Sequence, residues 1–158
     1  MFSYINKNIK KQLADNDSTQ NSPQIILLEE YLNENPKTGY LVFQITEDSP
    51  LKGTLPIANA RITVTKKLGE DYFFSRMVTT NEDGKTDPIP LPTVDATLSM
   101  NPEIIKPYST YNAKIEAANY NSTNVYDIPI FDNITSIQPI NLFPNGNENQ
   151  TIENDMNI

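Results

Sequence analysis

The sequence predicts an all-β protein, a seven-stranded antiparallel β-sandwich over residues 39–144. Several short segments alternate apolar and polar residues, which is the period of a strand with one buried face. Glycine, proline, asparagine and aspartate separate these segments at fairly regular intervals, as turns do in sandwiches. The sequence shows no heptad pattern and no tandem repeat, so neither a coiled coil nor a solenoid is expected.

Two polar segments flank the sandwich. We predict an irregular N-terminal arm, residues 1–38, and a disordered acidic tail, residues 145–158, because most of both lacks hydrophobic periodicity. Within the arm, the apolar run 24–32 is too short for its period to decide between a helix and a strand. This run either docks on the sandwich of its own chain or packs on a neighbouring subunit.

The first predicted strand is 40–47, and its apolar face is formed by Leu41, Phe43 and Ile45. Residues 48–60 are predicted to be a loop and a turn that lead into the second strand, 61–66. The third strand, 72–80, is rich in aromatic and β-branched residues, which favour strands.

The turn 81–84 ends on Gly84, which can adopt positive φ without a steric penalty. It leads into a fourth strand, 88–91, whose prolines predict a position at a sheet edge. A long loop, 92–107, follows.

The clearest alternation lies in the stretch 107–120, which we predict to be the central strand. Its dry face is formed by Tyr111, Ala113, Ile115 and Ala117. Its other face, Asn112, Lys114 and Glu116, has the composition of an ordinary wet face. Two more strands, 125–131 and 136–143, complete the predicted sandwich.

Composition excludes several classes of function. The 158 residues contain 12 Lys and Arg against 20 Asp and Glu, a net charge of −8, so we exclude nucleic acid as a partner. Cysteine and histidine are absent, which removes the commonest general base and the commonest transition-metal ligands. No apolar run could span a membrane, and the N-terminus lacks the apolar core of a signal peptide.

The remaining candidates for chemistry are weak, and we predict no enzyme, no cofactor and no metal. The acid pairs Glu82–Asp83 and Glu70–Asp71 lie in turns, where carboxylates are usually solvated. Ser109 follows Lys106 by three residues, but no oxyanion glycine accompanies them.

Apolar and aromatic side chains are the best candidates for binding. We predict that a protein partner or a second copy contacts the arm and the third strand. The residues predicted to bind it are Ile25, Leu28, Tyr31, Leu32, Tyr72 and Phe74. Too many aromatic residues are present, Tyr126 among them, for all to face one core. The exposed ones would mark a protein or glycan contact, unless they cap the open ends of the sandwich.

Residues 56–64 and 79–86 resemble the pattern of transthyretin-like (carboxypeptidase regulatory-like) domains, which are immunoglobulin-like β-sandwiches. Segments 87–92, 106–117 and 135–144 are similar to the non-catalytic domain that precedes the hydrolase in clostridial spore cortex-lytic enzymes. The resemblance implies fold and a spore or cell-wall context, and does not imply cleavage of peptidoglycan. Hydroxyisourate hydrolases also have the transthyretin-like fold, but their site is built on histidines and cannot form in a chain without histidine.

Near the start of the central strand, Tyr108 and Tyr111 bracket a loop-to-strand corner. A tyrosine there is expected to bury its ring and hydrogen-bond its hydroxyl to nearby backbone.

We therefore predict a non-catalytic binding or structural module of a bacterial endospore or its cell-wall machinery. Two alternatives stay open: a self-assembling spore-surface or appendage subunit that uses its N-terminal arm, and a regulator or targeting partner of a cortex peptidoglycan hydrolase. Peptidoglycan is a candidate ligand. Without a signal peptide, the expected location is the cytoplasm of the sporulating cell or the spore envelope.

Overall fold

The computed structural model describes residues 22–100, 103 and 106–146. The first part of the predicted arm, residues 1–21, and most of the predicted tail, residues 147–158, lie outside the described residues. Within the described part, the chain forms an α-helix, eight β-strands and a short 3₁₀ helix, Ala96–Met100. In chain order the elements are α1 Pro23–Glu34, β1 Lys37–Ser49, β2 Gly53–Pro56, β3 Arg61–Lys67, β4 Phe73–Thr79, β5 Ile89–Thr93, β6 Ser109–Glu116, β7 Thr123–Ile130 and β8 Thr135–Asn141.

The strands form two four-stranded sheets. In the first sheet β1 is central, with β5 and β2 antiparallel along one edge and β8 parallel along the other. The second sheet is antiparallel throughout, in the order β4-β3-β6-β7. The predicted central strand is confirmed as β6, which lies between β3 and β7.

The predicted β-sandwich is confirmed, with two differences in detail. The chain has eight strands instead of seven, because part of the predicted loop over 48–60 forms β2 and lengthens β1. Strand β2 is mostly exposed, so it has no apolar face to reveal it in the sequence. The sandwich is also not wholly antiparallel, because β8 pairs in parallel with β1 from Tyr40↔Thr135 to Thr46↔Asn141.

The core lies between the sheets and follows the predicted alternation. Strand β1 buries Leu41, Phe43 and Ile45, each fully inaccessible to solvent. Each buried aliphatic or aromatic side chain of this size stabilises the fold by roughly 1.5–3 kcal/mol. The other buried apolar residues of the core are Ile57, Ala60, Ile62, Val64, Phe74, Ile89, Leu91, Tyr111, Ala113, Ile115, Ile128, Ile130, Ile140 and Leu142.

The predicted irregular arm contains a regular element, helix α1. The Ser22 side chain accepts a hydrogen bond from the Ile25 backbone N–H at 3.4 Å, and Pro23 occupies the first turn, where its missing N–H costs nothing. The helix ends at Glu34 and is capped by Asn35, whose backbone and side-chain N–H groups both donate to the Tyr31 carbonyl. Among the described residues, no helix is long and apolar enough to cross a membrane.

Candidate functional site

Helix α1 packs on the sandwich of its own chain. Leu32 is 2% exposed, and Leu28 and Tyr31 pack against the core. The Tyr31 hydroxyl donates to the Tyr111 hydroxyl at 2.8 Å, and the Tyr111 hydroxyl donates to the Pro92 carbonyl. The predicted corner tyrosine is therefore present, and it also anchors the helix. Burial raises the pKa of both tyrosines.

Of the remaining predicted partner residues, Phe74 lies beside this anchor. Phe74 is 6% exposed, and its ring centroid lies 6.5 Å from that of Tyr31 and 6.2 Å from that of Tyr111. Ile25 and Tyr72 are partly exposed. The structure thus places Tyr31 and Phe74 together in a cluster within one chain. That any of the six predicted residues binds a partner stays a prediction.

The candidates for chemistry are dispersed. Glu82 and Asp83 are exposed in a turn that is organised by Asn81, whose side-chain oxygen accepts from the backbone of Asp83. Ser109 is buried and donates to the Asn35 side-chain oxygen, so its hydroxyl has a structural partner. Lys106 is exposed. Across the part of the chain that the structure describes, no three His, Cys, Asp or Glu residues come together as a metal site.

An open groove of about 330 Å³ lies on the outer face of the second sheet. We call it the outer-face groove. It is lined by Thr63, Thr65, Asn112, Ala113, Lys114, Asn124 and Tyr126. Hydroxyl, amide and ammonium groups therefore lie around one exposed aromatic ring. Binding sites for small ligands likewise combine a few polar groups with an apolar surface.

Strand register brings these side chains together. Thr63 pairs with Lys114, which in turn pairs with Asn124, so three strands contribute to one row across the sheet. Thr65 pairs with Asn112 in the neighbouring row. Because residues opposite one another on the same face lie within about 4.5–5.5 Å at Cβ, the side chains of each row are direct neighbours across the strands.

A β-bulge shapes the end of the groove. The β6–β7 register shifts between Tyr111 and Ala113, so two residues of β7 lie opposite Asn112. Asp127 takes φ 58°, a left-handed conformation, and its backbone N–H donates to the Asn112 side-chain oxygen at 3.0 Å. Such bulges redirect side chains, and the neighbouring Tyr126 is 68% exposed at the groove.

Charge on the second sheet differs from that of the whole chain. Its strands carry five cations and two carboxylates, a net of +3, whereas the chain carries −8. The cations are Arg61, Lys66, Lys67, Arg76 and Lys114, and the carboxylates are Glu116 and Asp127. Glu116 lies between Arg61 and Lys114, at 3.2 Å and 3.9 Å, so the Lys114 ammonium is positioned beside the groove by a carboxylate.

Sequence reasoning did not identify the outer-face groove. In the sequence, Asn112 and Lys114 have the composition of an ordinary wet face, and nothing distinguishes Thr63, Thr65 and Asn124 from other strand residues. Tyr126 is one aromatic residue among several in the sequence. The available signal was the broken alternation around Asp127, which marks the bulge.

No family model matches the chain, and no curated protein matches it. Among solved structures, it is similar to a minor pilin of Streptococcus agalactiae, with 15% identity and a TM-score of 0.47 over 70% of this chain and 46% of the pilin. It is also similar to a type II cohesin–X-dockerin complex from Acetivibrio cellulolyticus, with 14% identity and a TM-score of 0.38 over 67% of this chain and 58% of that chain. A third similarity, to a 9R-lipoxygenase from Cyanothece, has 13% identity and a TM-score of 0.30 over 88% of this chain and 24% of the lipoxygenase. The chain thus spans about half the length of the first two.

Proposed function

We propose that this protein is a non-catalytic binding module and that its ligand surface is the outer-face groove. One observation carries the proposal. Amide and hydroxyl groups from three adjacent strands converge beside a tyrosine ring that is 68% exposed. An exposed aromatic ring with fixed polar neighbours combines apolar contact with directional hydrogen bonding.

The chemistry of the groove favours a glycan strand as ligand. Asn112 already uses its oxygen to accept from the Asp127 N–H, so its amide N–H groups are available as donors. Asn124 and the threonine hydroxyls can both donate and accept. A sugar presents many hydroxyls and an apolar C–H face, which matches these groups and the Tyr126 ring.

The local charge favours peptidoglycan over an uncharged polysaccharide. Peptidoglycan carries carboxylates on its stem peptides, and the second sheet has a net charge of +3. Lys114 lies at the groove and is the group placed to meet such a carboxylate. Because exposed ion pairs contribute about 0–1 kcal/mol, this contact would add little to affinity and would mainly favour a carboxylate-bearing glycan over an uncharged one.

The resemblance of residues 39–144 to the transthyretin-like domain of clostridial cortex-lytic enzymes supports the same ligand. We place the protein with the endospore cell wall on that ground. A module that holds peptidoglycan would act by surface complementarity, either as a wall component or as a targeting partner of a separate hydrolase.

The test is binding to purified peptidoglycan sacculi, with soluble muropeptides titrated in parallel. Tyr126→Ala removes the exposed ring, and its loss is expected to weaken binding about tenfold, or about 1.4 kcal/mol. Asn124→Ala removes one polar group from the groove and should also weaken binding. Ile137→Ala is the matched control, because Ile137 is 65% exposed on β8 of the other sheet.

Two results would overturn the proposal. The first is a wild-type protein that is no more enriched on sacculi than an unrelated β-sandwich. The second is equal loss of binding in Tyr126→Ala and Ile137→Ala, which would remove the groove as the site. Release of soluble muropeptides by the wild type in the same incubation would contradict the non-catalytic part.

A further inference from the structure

Strand β4 differs from the other edge strands of the sandwich. The described edge strands are β2, β5 and β8 in the first sheet and β4 and β7 in the second. Every one except β4 contains proline, which cannot donate to an added strand and so blunts an edge. These prolines are Pro56, Pro90, Pro92, Pro129 and Pro139.

The backbone of β4 presents an open hydrogen-bonding edge. Leu68 N–H donates to the Tyr72 carbonyl, and Thr80 N–H donates to the Ala60 carbonyl. Hydrogen-bonded pairs alternate along an antiparallel ladder, so the even-numbered residues of β4 face β3. The N–H and C=O groups of Phe73, Ser75 and Met77 therefore point away from β3, where no described strand pairs with them.

The side chains along this edge are apolar and symmetric about Ser75. Phe73 is 60% exposed and Met77 is 63% exposed, and each lies two residues from Ser75, which is also exposed. All three lie on the outer face of the second sheet. Two large exposed apolar groups on one free edge are typical of an interaction surface.

We propose that β4 pairs with β4 of a second copy of this chain, antiparallel, with Ser75 opposite Ser75 at a two-fold axis. Phe73 then lies opposite Met77 of the second copy, and Met77 lies opposite Phe73 of the second copy. Three hydrogen-bonded pairs form, which exchange about six backbone hydrogen bonds. The two second sheets join into one eight-stranded sheet. This interface goes beyond the proposed ligand surface.

The inner face of β4 disfavours one of the two neighbouring registers. Here Phe74 lies opposite Arg76 of the second copy, and within one chain the Arg76 guanidinium already lies 4.8 Å from the Phe74 ring centroid. The Phe74 ring is 6% exposed and stays inside its own chain, so in this register Arg76 of each copy has no like charge opposite it. A shift by two residues in one direction would place Arg76 opposite Arg76, and like charges directly opposite destabilise strand pairs.

A second copy is favoured because the edge is complementary to itself. An isologous interface needs one patch that matches itself under a two-fold rotation. The exposed outer face of β4 does so, because Phe73 meets Met77 and Ser75 meets Ser75. The interface is small, so we expect a weak dimer that forms at chain concentrations on the order of 100 µM.

Light scattering coupled to size exclusion, on the full chain at that concentration, tests the proposal. The wild type should show twice the chain mass. Ser75→Pro removes an outward N–H that β3 does not use, so it should give a folded monomer. Ser75→Ala keeps that N–H and should remain dimeric. If Ser75→Pro is unfolded by circular dichroism, Met77→Lys takes its place, because an edge lysine opposes pairing.

Cross-linking tests the register. The chain contains no cysteine, so a single introduced thiol reports only contacts between copies. Under mild oxidation Ser75→Cys should form a covalent dimer well above the level of Ile137→Cys, an exposed position on β8 of the other sheet.

Three outcomes would overturn the proposal. A wild type that stays monomeric at that concentration would exclude the dimer, and slow amide exchange at Ser75 and Met77 in that monomer would show that the edge is covered within one chain. A dimer that persists in both Ser75→Pro and Met77→Lys would place the interface elsewhere. Equal cross-linking at positions 75 and 137 would remove the two-fold register.

Discussion

The hydroxyl of Tyr31 on helix α1 donates to the hydroxyl of Tyr111 on β6, 2.8 Å away and 80 positions later in the chain. The Tyr111 hydroxyl in turn donates a hydrogen bond to the Pro92 carbonyl. Both rings also contact Phe74. We call these two consecutive hydrogen bonds the relay. The relay lies inside an aromatic cluster and connects the helix, the second sheet and the end of β5.

Removing the first hydroxyl of this relay should loosen the helix. In Tyr31→Phe the Tyr111 hydroxyl keeps its bond to Pro92 but loses a donor. A neutral hydrogen bond of this kind contributes about 1 kcal/mol, so urea unfolding should show a loss of that size. Tyr126→Phe, at a tyrosine that is 68% exposed, is the control and should change stability little. Equal losses in both variants would contradict a structural role for the Tyr31 hydroxyl.

The same relay predicts lower stability at high pH. The pKa values of Tyr31 and Tyr111 are raised above the ordinary value of 10.0, chiefly by burial. Above pH 10 the unfolded chain therefore binds fewer protons than the folded protein, and the free energy of unfolding falls as pH rises. This contribution is fully present below pH 10 and is lost progressively above it.

Tyr111→Phe isolates this effect. Lys66 has a pKa lowered by burial and then by Lys106, so it contributes with the opposite sign and persists in the variant. Urea unfolding between pH 8 and pH 11 should show a shallower decline in Tyr111→Phe than in the wild type. Parallel pH profiles would exclude the tyrosine as the cause.

Local sequence patterns were enough to predict the strands that bury one face and expose the other. The alternation of Leu41, Phe43 and Ile45 on β1, and of Tyr111, Ala113 and Ile115 on β6, matches their burial. The corner tyrosine could be predicted because its requirement is local: a large ring at the core and a backbone acceptor nearby.

Features that depend on distant pairing could not be predicted. The parallel pairing of β8 with β1 joins segments about 95 residues apart, and nothing in either segment specifies its neighbour. The outer-face groove could not be predicted for the same reason. Asn112, Lys114 and Asn124 become a surface only through register across β6 and β7, and the bulge at Asp127 then turns Tyr126 toward solvent.

Gly84 closes the turn after β4 under two constraints. Its φ is +73°, and a Cβ at this position would lie 2.4 Å from the Ile45 carbonyl oxygen. Gly84→Ala should therefore combine left-handed strain with a backbone clash and cost at least about 2 kcal/mol.

Gly53→Ala is the matched control for Gly84. Gly53 has a similar φ of +77°, but a Cβ there would meet nothing within 4 Å, so only the strain of about 1 kcal/mol applies. Thermal unfolding of both variants measures the difference. If Gly53→Ala is as destabilised as Gly84→Ala, the close approach to Ile45 contributes nothing.

Pairing of two copies through β4 should affect ligand binding by valency. The joined sheet would carry two outer-face grooves on one continuous face, so a polymeric ligand could occupy both, which raises apparent affinity without any new contact. Ser75→Pro should therefore weaken binding to peptidoglycan sacculi at least about tenfold while leaving the affinity for a single short muropeptide unchanged. Tyr126→Ala should weaken both, because it alters the groove itself.

Both affinities can be measured on the same protein samples by sedimentation of sacculi and by calorimetric titration of the muropeptide. If Ser75→Pro lowers the affinity for the short ligand as well, the substitution disturbs the groove, and the separation between ligand surface and β4 edge is wrong.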